Sequence, residues 1–344
     1  YTALRVGVVV LLFSLIDKSI LFVGAGVLAA ALCALAVSVL FWRHLLPDMV
    51  LHKNNCDAVR RKELVKLGGY SMISNIAFVL FTGFDLLILG ILLGTNAGGK
   101  YTPVLQCAFL LQMLAQALAA GMGPLLLGVY SKEKLATLVS LAKQSVKILG
   151  LAMAFPVGCI AGFGSLFLTL WLGEDFSSQT ALLQLLIFPL CVVLPVMPLH
   201  SIEVALNRVK LPAQVALSLG IVNVLLAVAL TMTLQSSFGV AGSRSVTMVI
   251  HSVFFSSIYA AVILNIQWHS FFRQLLPGFV AATILLFGCR WIEQTVVTQS
   301  WVGLCMGVAT AAMVYAPCVF FLLLNKDEKN ILLSLAALKG RGKS

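Results

Sequence analysis

Apolar stretches about as long as a bilayer is thick recur from one end of this chain to the other. They lie at residues 3–16, 19–42, 67–93, 103–130, 146–170, 180–206, 215–234, 246–266, 275–291 and 301–324, with short polar breaks between them. A helix needs roughly 20 apolar residues to cross the hydrocarbon core, and these runs use up most of the 344 residues. Only 10% of the residues are charged, against about 25% in an ordinary soluble domain. The runs lack the period-2 alternation of barrel strands, which leaves helices as the spanning form. The sequence therefore predicts an all-α polytopic membrane protein of about ten transmembrane helices, with no soluble domain left over.

The polar breaks alternate in charge. Arg5, the segment from Arg43 to Lys66, Lys132 to Lys147, Arg208 with Lys210, Arg273 and the tail from Lys326 to Lys343 hold 19 of the 23 basic residues. Short cytoplasmic loops carry the Lys/Arg excess, so these breaks are expected to face the cytoplasm, with both ends of the sequence on that side of the membrane. The positive net charge of +11 then reflects the anionic membrane surface rather than nucleic acid. Residues 43–66 mix basic and apolar side chains, which suits an interfacial linker between two helix bundles. The tail, 325–344, reads either as a short interfacial helix or as a flexible basic end. Tyr1 and the apolar run that closely follows Arg5 read as a start inside a longer protein.

Several chemistries are not expected. The sequence has no phosphate-cradling GxxxxGK[ST] loop, no HExxH, no Cys/His ligand cluster and no GxSxG elbow. Seven of the eight cysteines sit in apolar runs without a CxxC pair, as small core residues do. The connections expected on the far side, such as 95–100, 173–179 and 235–244, are too short for a catalytic domain. The protein is thus read as no enzyme, without a metal or cofactor.

Functional candidates are the polar groups inside the spans. A carboxylate there costs on the order of 2.5–3.5 kcal/mol and usually faces a partner or a hydrated cavity. Asp85 shares the third span with Ser71, Asn75 and Thr82, which project within about 80° at about 100° per residue. This stripe either lines a hydrated path in which Asp85 binds a cation or a proton, or it bonds helix to helix near an interface. Gln112 and Gln116, about one turn apart, either face the same path or bond between helices. His200, Glu203 and Asn207 share a face of the sixth span. Glu203 lies close to the basic end, where an ion pair with Arg208 or Lys210 competes with a transport role, while His200 lies a turn deeper with a side chain suited to proton traffic. Pro189, Pro195 and Pro198 bend that span, either beside a transport cavity or as plain architecture.

Four stretches carry a resemblance to a known family: FDLLILGILLGTNAGGKY, GMGPLLLGVYSKEKLATLVS, LFLTLWLGEDFSSQTALLQLL, and ALNRVKLPAQVALSLGIVNVLLAVAL followed by FGVAGSRSVTMVI. In order and spacing, from about Leu64 to Ile266, they resemble the Wzx-type oligosaccharide flippases, the polysaccharide transporter group of the MOP exporter superfamily. The resemblance implies two six-helix bundles and often two further helices. Residues 1–42 would then be the last two helices of the first bundle, 43–66 the linker, 67–266 the second bundle, 267–324 the two added helices and 325–344 a cytoplasmic tail. It implies alternating-access movement of an undecaprenyl diphosphate-linked oligosaccharide for capsule or lipopolysaccharide synthesis, with proton or sodium coupling and with other polysaccharide assembly proteins as partners. With no arginine or lysine deep in a span, the diphosphate is expected to meet inner-mouth residues such as Lys147 and Arg208, or helices outside this sequence. A multidrug or lipid II-type exporter of the same superfamily is the alternative, and a membrane-embedded sugar polymerase or ligase a more distant one.

Overall fold

The computed structural model describes residues 6–8, 10, 20–45, 58–130, 135–295 and 299–323. Among the described residues every regular element is helical. Nine helical segments among the described residues are long and apolar enough to cross a membrane, so the protein is a multi-pass membrane protein. The first expected span, 3–16, and most of the linker, 46–57, lie largely or wholly outside the described residues, as does the tail from 324 onward.

Two compact units divide the chain, residues 1–65 and 66–344. The first is described chiefly by helix α1 (Ile20–Leu45), which leaves Leu28, Leu32, Leu35 and Leu40 exposed, an apolar surface for lipid or other helices. The second contains most of α2 (Ala58–Thr82), then α3 (Asp85–Leu92), α4 (Thr95–Tyr130), α5 (Leu135–Gly162) and α6 (Gly164–Leu172). After a 3₁₀ turn at Glu174–Gln179 come α7 (Thr180–Ile187), α8 (Leu190–Val193) and α9 (Met197–Ala205). They are followed by α10 (Lys210–Leu234), α11 (Phe238–Val249), α12 (Ser257–Ile263), α13 (Phe272–Thr295) and α14 (Trp301–Cys318).

The sixth span bends where its prolines predict. Pro189 separates α7 from α8, Pro195 lies in a 3₁₀ turn at Leu194–Val196, and Pro198 opens α9. Backbone bonds at these joints shorten to i→i+3, as in Val192 N to Pro189 O at 3.1 Å, because each proline removes an i→i+4 donor.

Other boundaries differ from the sequence expectation. Thr95–Lys100, expected as a loop, forms the first turns of α4, and only Leu93 and Gly94 interrupt the helices there. Lys143 and Lys147, expected in a basic break, lie inside α5, where Lys147 is buried. The span expected at 246–266 begins earlier, with α11 at Phe238 inside the connection expected at 235–244, so Arg244 sits about two turns inside a helix and is 2% exposed. The expectation that no basic residue lies deep in a span therefore fails at this position. The glycine-rich start of α11 resembles a loop because it packs very closely: a Cβ on Gly239 would come 2.5 Å from the backbone nitrogen of Thr231 in α10.

A second close approach joins α5 to α13. Gly278 faces Gly150, and an added Cβ would lie 2.9 Å from the Gly150 carbonyl carbon. Farther along both helices, the sulfurs of Cys159 and Cys289 are 3.9 Å apart. Positions rise together on the two helices, so α5 and α13 run parallel, and α13 contributes Ala281, Ala282, Leu285 and Cys289 to the core of the second unit.

Candidate functional site

A cavity of about 430 Å³ opens within the second unit. Its walls come from α2 through Ser74 and Phe81, from α4 through Gln112 and Gln116, from α9 through His200 and Glu203, and from α11 and the following turn through Met248 and His251. Two of the wall-forming helices are irregular at this level. The proline-broken span supplies Val193, Val196 and Met197, and the chain from Ile250 to Ser256 is a π-helix. Widening a helix to i→i+5 bonds re-aims its side chains, and such turns recur at functional sites. Here the widened turn carries His251, Ser252 and Ser256 into the cavity wall.

The wall is largely apolar, with polar side chains of α2, α4, α9 and the π-helix set into it. Gln112 is only 3% exposed, and neither its Nε2 nor His251 Nε2 has a hydrogen-bond partner among the described residues. Buried polar groups ordinarily find partners in protein, water or ligand, and these two atoms have donor or acceptor capacity that the described residues do not use. His200 Nδ1 pairs with Glu203 Oε2 at 3.0 Å, and Glu203 is buried. The geometry thus gives Glu203 the histidine one turn away as its partner, in place of the expected Arg208 or Lys210.

One turn from the cavity wall on α11, at Arg244, and about three turns from it on α4, at Tyr101, the unit closes around a charge cluster. Arg244 Nη1 donates to Asp85 Oδ2 at 2.9 Å, and the Tyr101 hydroxyl donates to the same oxygen at 3.1 Å. The Phe109 ring lies against the guanidinium, 5.3 Å from Cζ to the ring centre. Asp85 and Arg244 are 1% and 2% exposed, and Arg244 Nη2 has no partner among the described residues. Such a pair offsets the desolvation of two ions by their mutual attraction, and removing one partner leaves a bare buried charge.

A neutral network holds the helix that carries Arg244. Asn223 of α10 donates to Leu80 O of α2 at 3.2 Å, while Ser243 and Thr247 of α11 donate to its Oδ1 at 2.8 and 3.0 Å. One amide thereby fixes three helices next to the ion pair.

The cavity gathers Gln112, Gln116 and His200 as well as Glu203. It does not gather Asn75, which is exposed on α2, nor Asp85, which lies in the packed layer beyond it. The continuous stripe expected from Ser71 to Asp85 is broken because α2 ends at Thr82 and a turn at Gly83 and Phe84 separates it from α3. Arg208 is exposed past the end of α9, where its backbone N–H donates to Glu203 O at 2.8 Å. Lys147 is buried on α5 and does not line the cavity. Sequence reasoning missed Arg244, Tyr101, Asn223 and His251. A lone Asp in one apolar run and a lone Arg at the edge of another were the only signal for the pair, and nothing in IHSVFFS announces a π-helix.

No family model matches the chain, and no solved structure matches it. It is 32% identical over 331 residues to the uncharacterized membrane protein EpsK of Bacillus subtilis (strain 168), an alignment covering 96% of this chain. The chain spans 66% of that relative's length, just under two thirds. What the comparison adds to the nine apolar helices is a membrane relative along almost the whole sequence.

Proposed function

We propose that this protein is a secondary transporter of the flippase kind, moving a lipid-linked oligosaccharide across the bacterial cytoplasmic membrane by alternating access for surface polysaccharide synthesis. The observation that carries this reading is a cavity inside a bundle of apolar spans whose wall carries amide, imidazole, carboxylate and hydroxyl groups, two of its buried nitrogens being unpartnered among the described residues, with irregular helices on two sides. Polar groups at bilayer depth are costly and are kept where they line a substrate path. Amide and imidazole groups offer hydrogen bonds to sugar hydroxyls, while the isoprenoid tail of the cargo stays in lipid. In this reading the layer around Asp85 and Arg244 closes one end of the path. A proton or cation reaching Asp85 competes with Arg244 and so links an ion gradient to opening of that layer. No chemical step is assigned to the protein.

The test is deletion of the gene in its host, followed by measurement of surface polysaccharide and of lipid-linked oligosaccharide in the inner leaflet. The expected outcome is loss of the polymer with accumulation of the intermediate, restored by the wild-type gene and not by Gln112→Leu. Normal polymer with no accumulation overturns the proposal, and hypersensitivity to cationic dyes in that strain transfers the reading to drug export.

A further inference from the structure

A second polar space lies at the far end of the same bundle. The chain from α7 to α9 runs from Thr180 to the His200 cavity, and at its starting end, where parallel α5 and α13 both finish, a cleft of about 540 Å³ opens. Ser165, Thr169, Thr180, Gln184, Arg290 and Glu293 line it.

Two of these groups are held by one atom and leave the other free. Glu293 Oε1 accepts from Leu166 N at 2.9 Å, at the start of α6, and Gln184 Nε2 donates to Ala161 O at 2.9 Å. Among the described residues, no hydrogen bond involves Glu293 Oε2, Gln184 Oε1 or the hydroxyls of Ser165 and Thr169. The cleft therefore presents two pre-positioned acceptors, two hydroxyls that can both donate and accept, and a guanidinium that only donates. One carboxylate and one guanidinium balance in charge, which disfavours a simple anion or cation. The lining disfavours an apolar guest. A neutral ligand dense in hydroxyl groups satisfies this set, and the volume falls within the range of small-ligand sites, roughly 300–1,000 Å³.

We infer that this cleft is a saccharide-binding site, separate from the His200 cavity, that engages a short stretch of glycan at the end of the bundle where α5 and α13 terminate. The binding chemistry stands on the cleft alone; that the polyol is the glycan of the cargo rests on the transport reading.

The experiment uses the full-length protein in lipid nanodiscs and, as probe, free oligosaccharides of a few residues released by hydrolysis from the host's own surface polysaccharide. Saturation-transfer NMR and calorimetry are expected to show millimolar binding. Thr169→Val keeps the side chain's shape and removes no bond within the described protein, so it should weaken binding about five-fold, the loss of one neutral hydrogen bond, with an unchanged melting temperature. Glu293→Gln should weaken it further. Thr233→Val, exposed on α10 and outside both spaces, should leave it unchanged. No binding of the probe overturns the site, as does binding that Thr169→Val and Glu293→Gln leave intact. Because the gene-deletion experiment reads export and this one reads equilibrium binding without lipid, failure here leaves the transport reading standing, and failure there leaves the cleft standing.

Discussion

Arg244 and Asp85, 159 positions apart in the chain, meet through a 2.9 Å hydrogen-bonded ion pair that is almost completely buried. The carboxylate expected to attract an external cation thus has a cation of the protein's own beside it, with Tyr101 as a second donor. The pair is a structural tie between α3 and α11, and in the transport reading proposed above an ion reaching Asp85 would compete with Arg244 there.

A double-mutant cycle separates those two roles. Asp85→Asn and Arg244→Gln should each destabilise the protein by about 3–5 kcal/mol, because each leaves one buried charge without its partner. The double variant, with no charge left, should regain most of that loss. Thermal unfolding in detergent measures the cycle. If the double variant is stable and exports no polysaccharide, the charges serve transport; full export by it reduces the pair to architecture.

Gln112→Leu should behave in the opposite way. The Nε2 of Gln112 has no partner among the described residues, so replacing the amide with a similar apolar side chain removes an unmet group and should leave the melting temperature equal or higher. Export of the polymer should nonetheless fall. Parallel unfolding and export assays would expose a purely structural glutamine by leaving export intact.

Asn223→Ala removes the amide that bonds Leu80, Ser243 and Thr247. With several neutral bonds lost in a buried site at about 1 kcal/mol each, the expected cost is about 2–3 kcal/mol. Hydrogen exchange should show α10 and α11 loosening first, and uniform exchange across the bundle would contradict the role given to Asn223.

Gly278→Val tests the contact between α5 and α13. The added side chain would meet the Gly150 backbone, already 2.9 Å from an ideal Cβ, so a loss of about 1–3 kcal/mol is expected from overpacking. Gly288→Val, at a position with open space beside it, should cost less and serves as the control. Equal melting temperatures for the two variants would place the helices farther apart.

Apolar run length alone determined that this is a multi-pass helical membrane protein, because only a helix satisfies its own backbone inside lipid and its length is set by the bilayer. The prolines between Pro189 and Pro198 likewise determined a broken span, since the missing N–H is a local fact. Gln112, Gln116 and His200 were legible as polar groups in apolar runs, although their shared cavity was not. Tertiary structure decided the rest. Arg244 looked like a loop residue because glycine and serine surround it, yet Gly239 lets α11 press against α10 and Ser243 bonds Asn223 there, in a helix where Arg244 is buried. The turn at Gly83 and Phe84 moved Asp85 off the stripe that helical periodicity drew for it. Pairing of residues far apart in sequence depends on which helices become neighbours, and nearly uniform hydrophobicity carries little information about that choice.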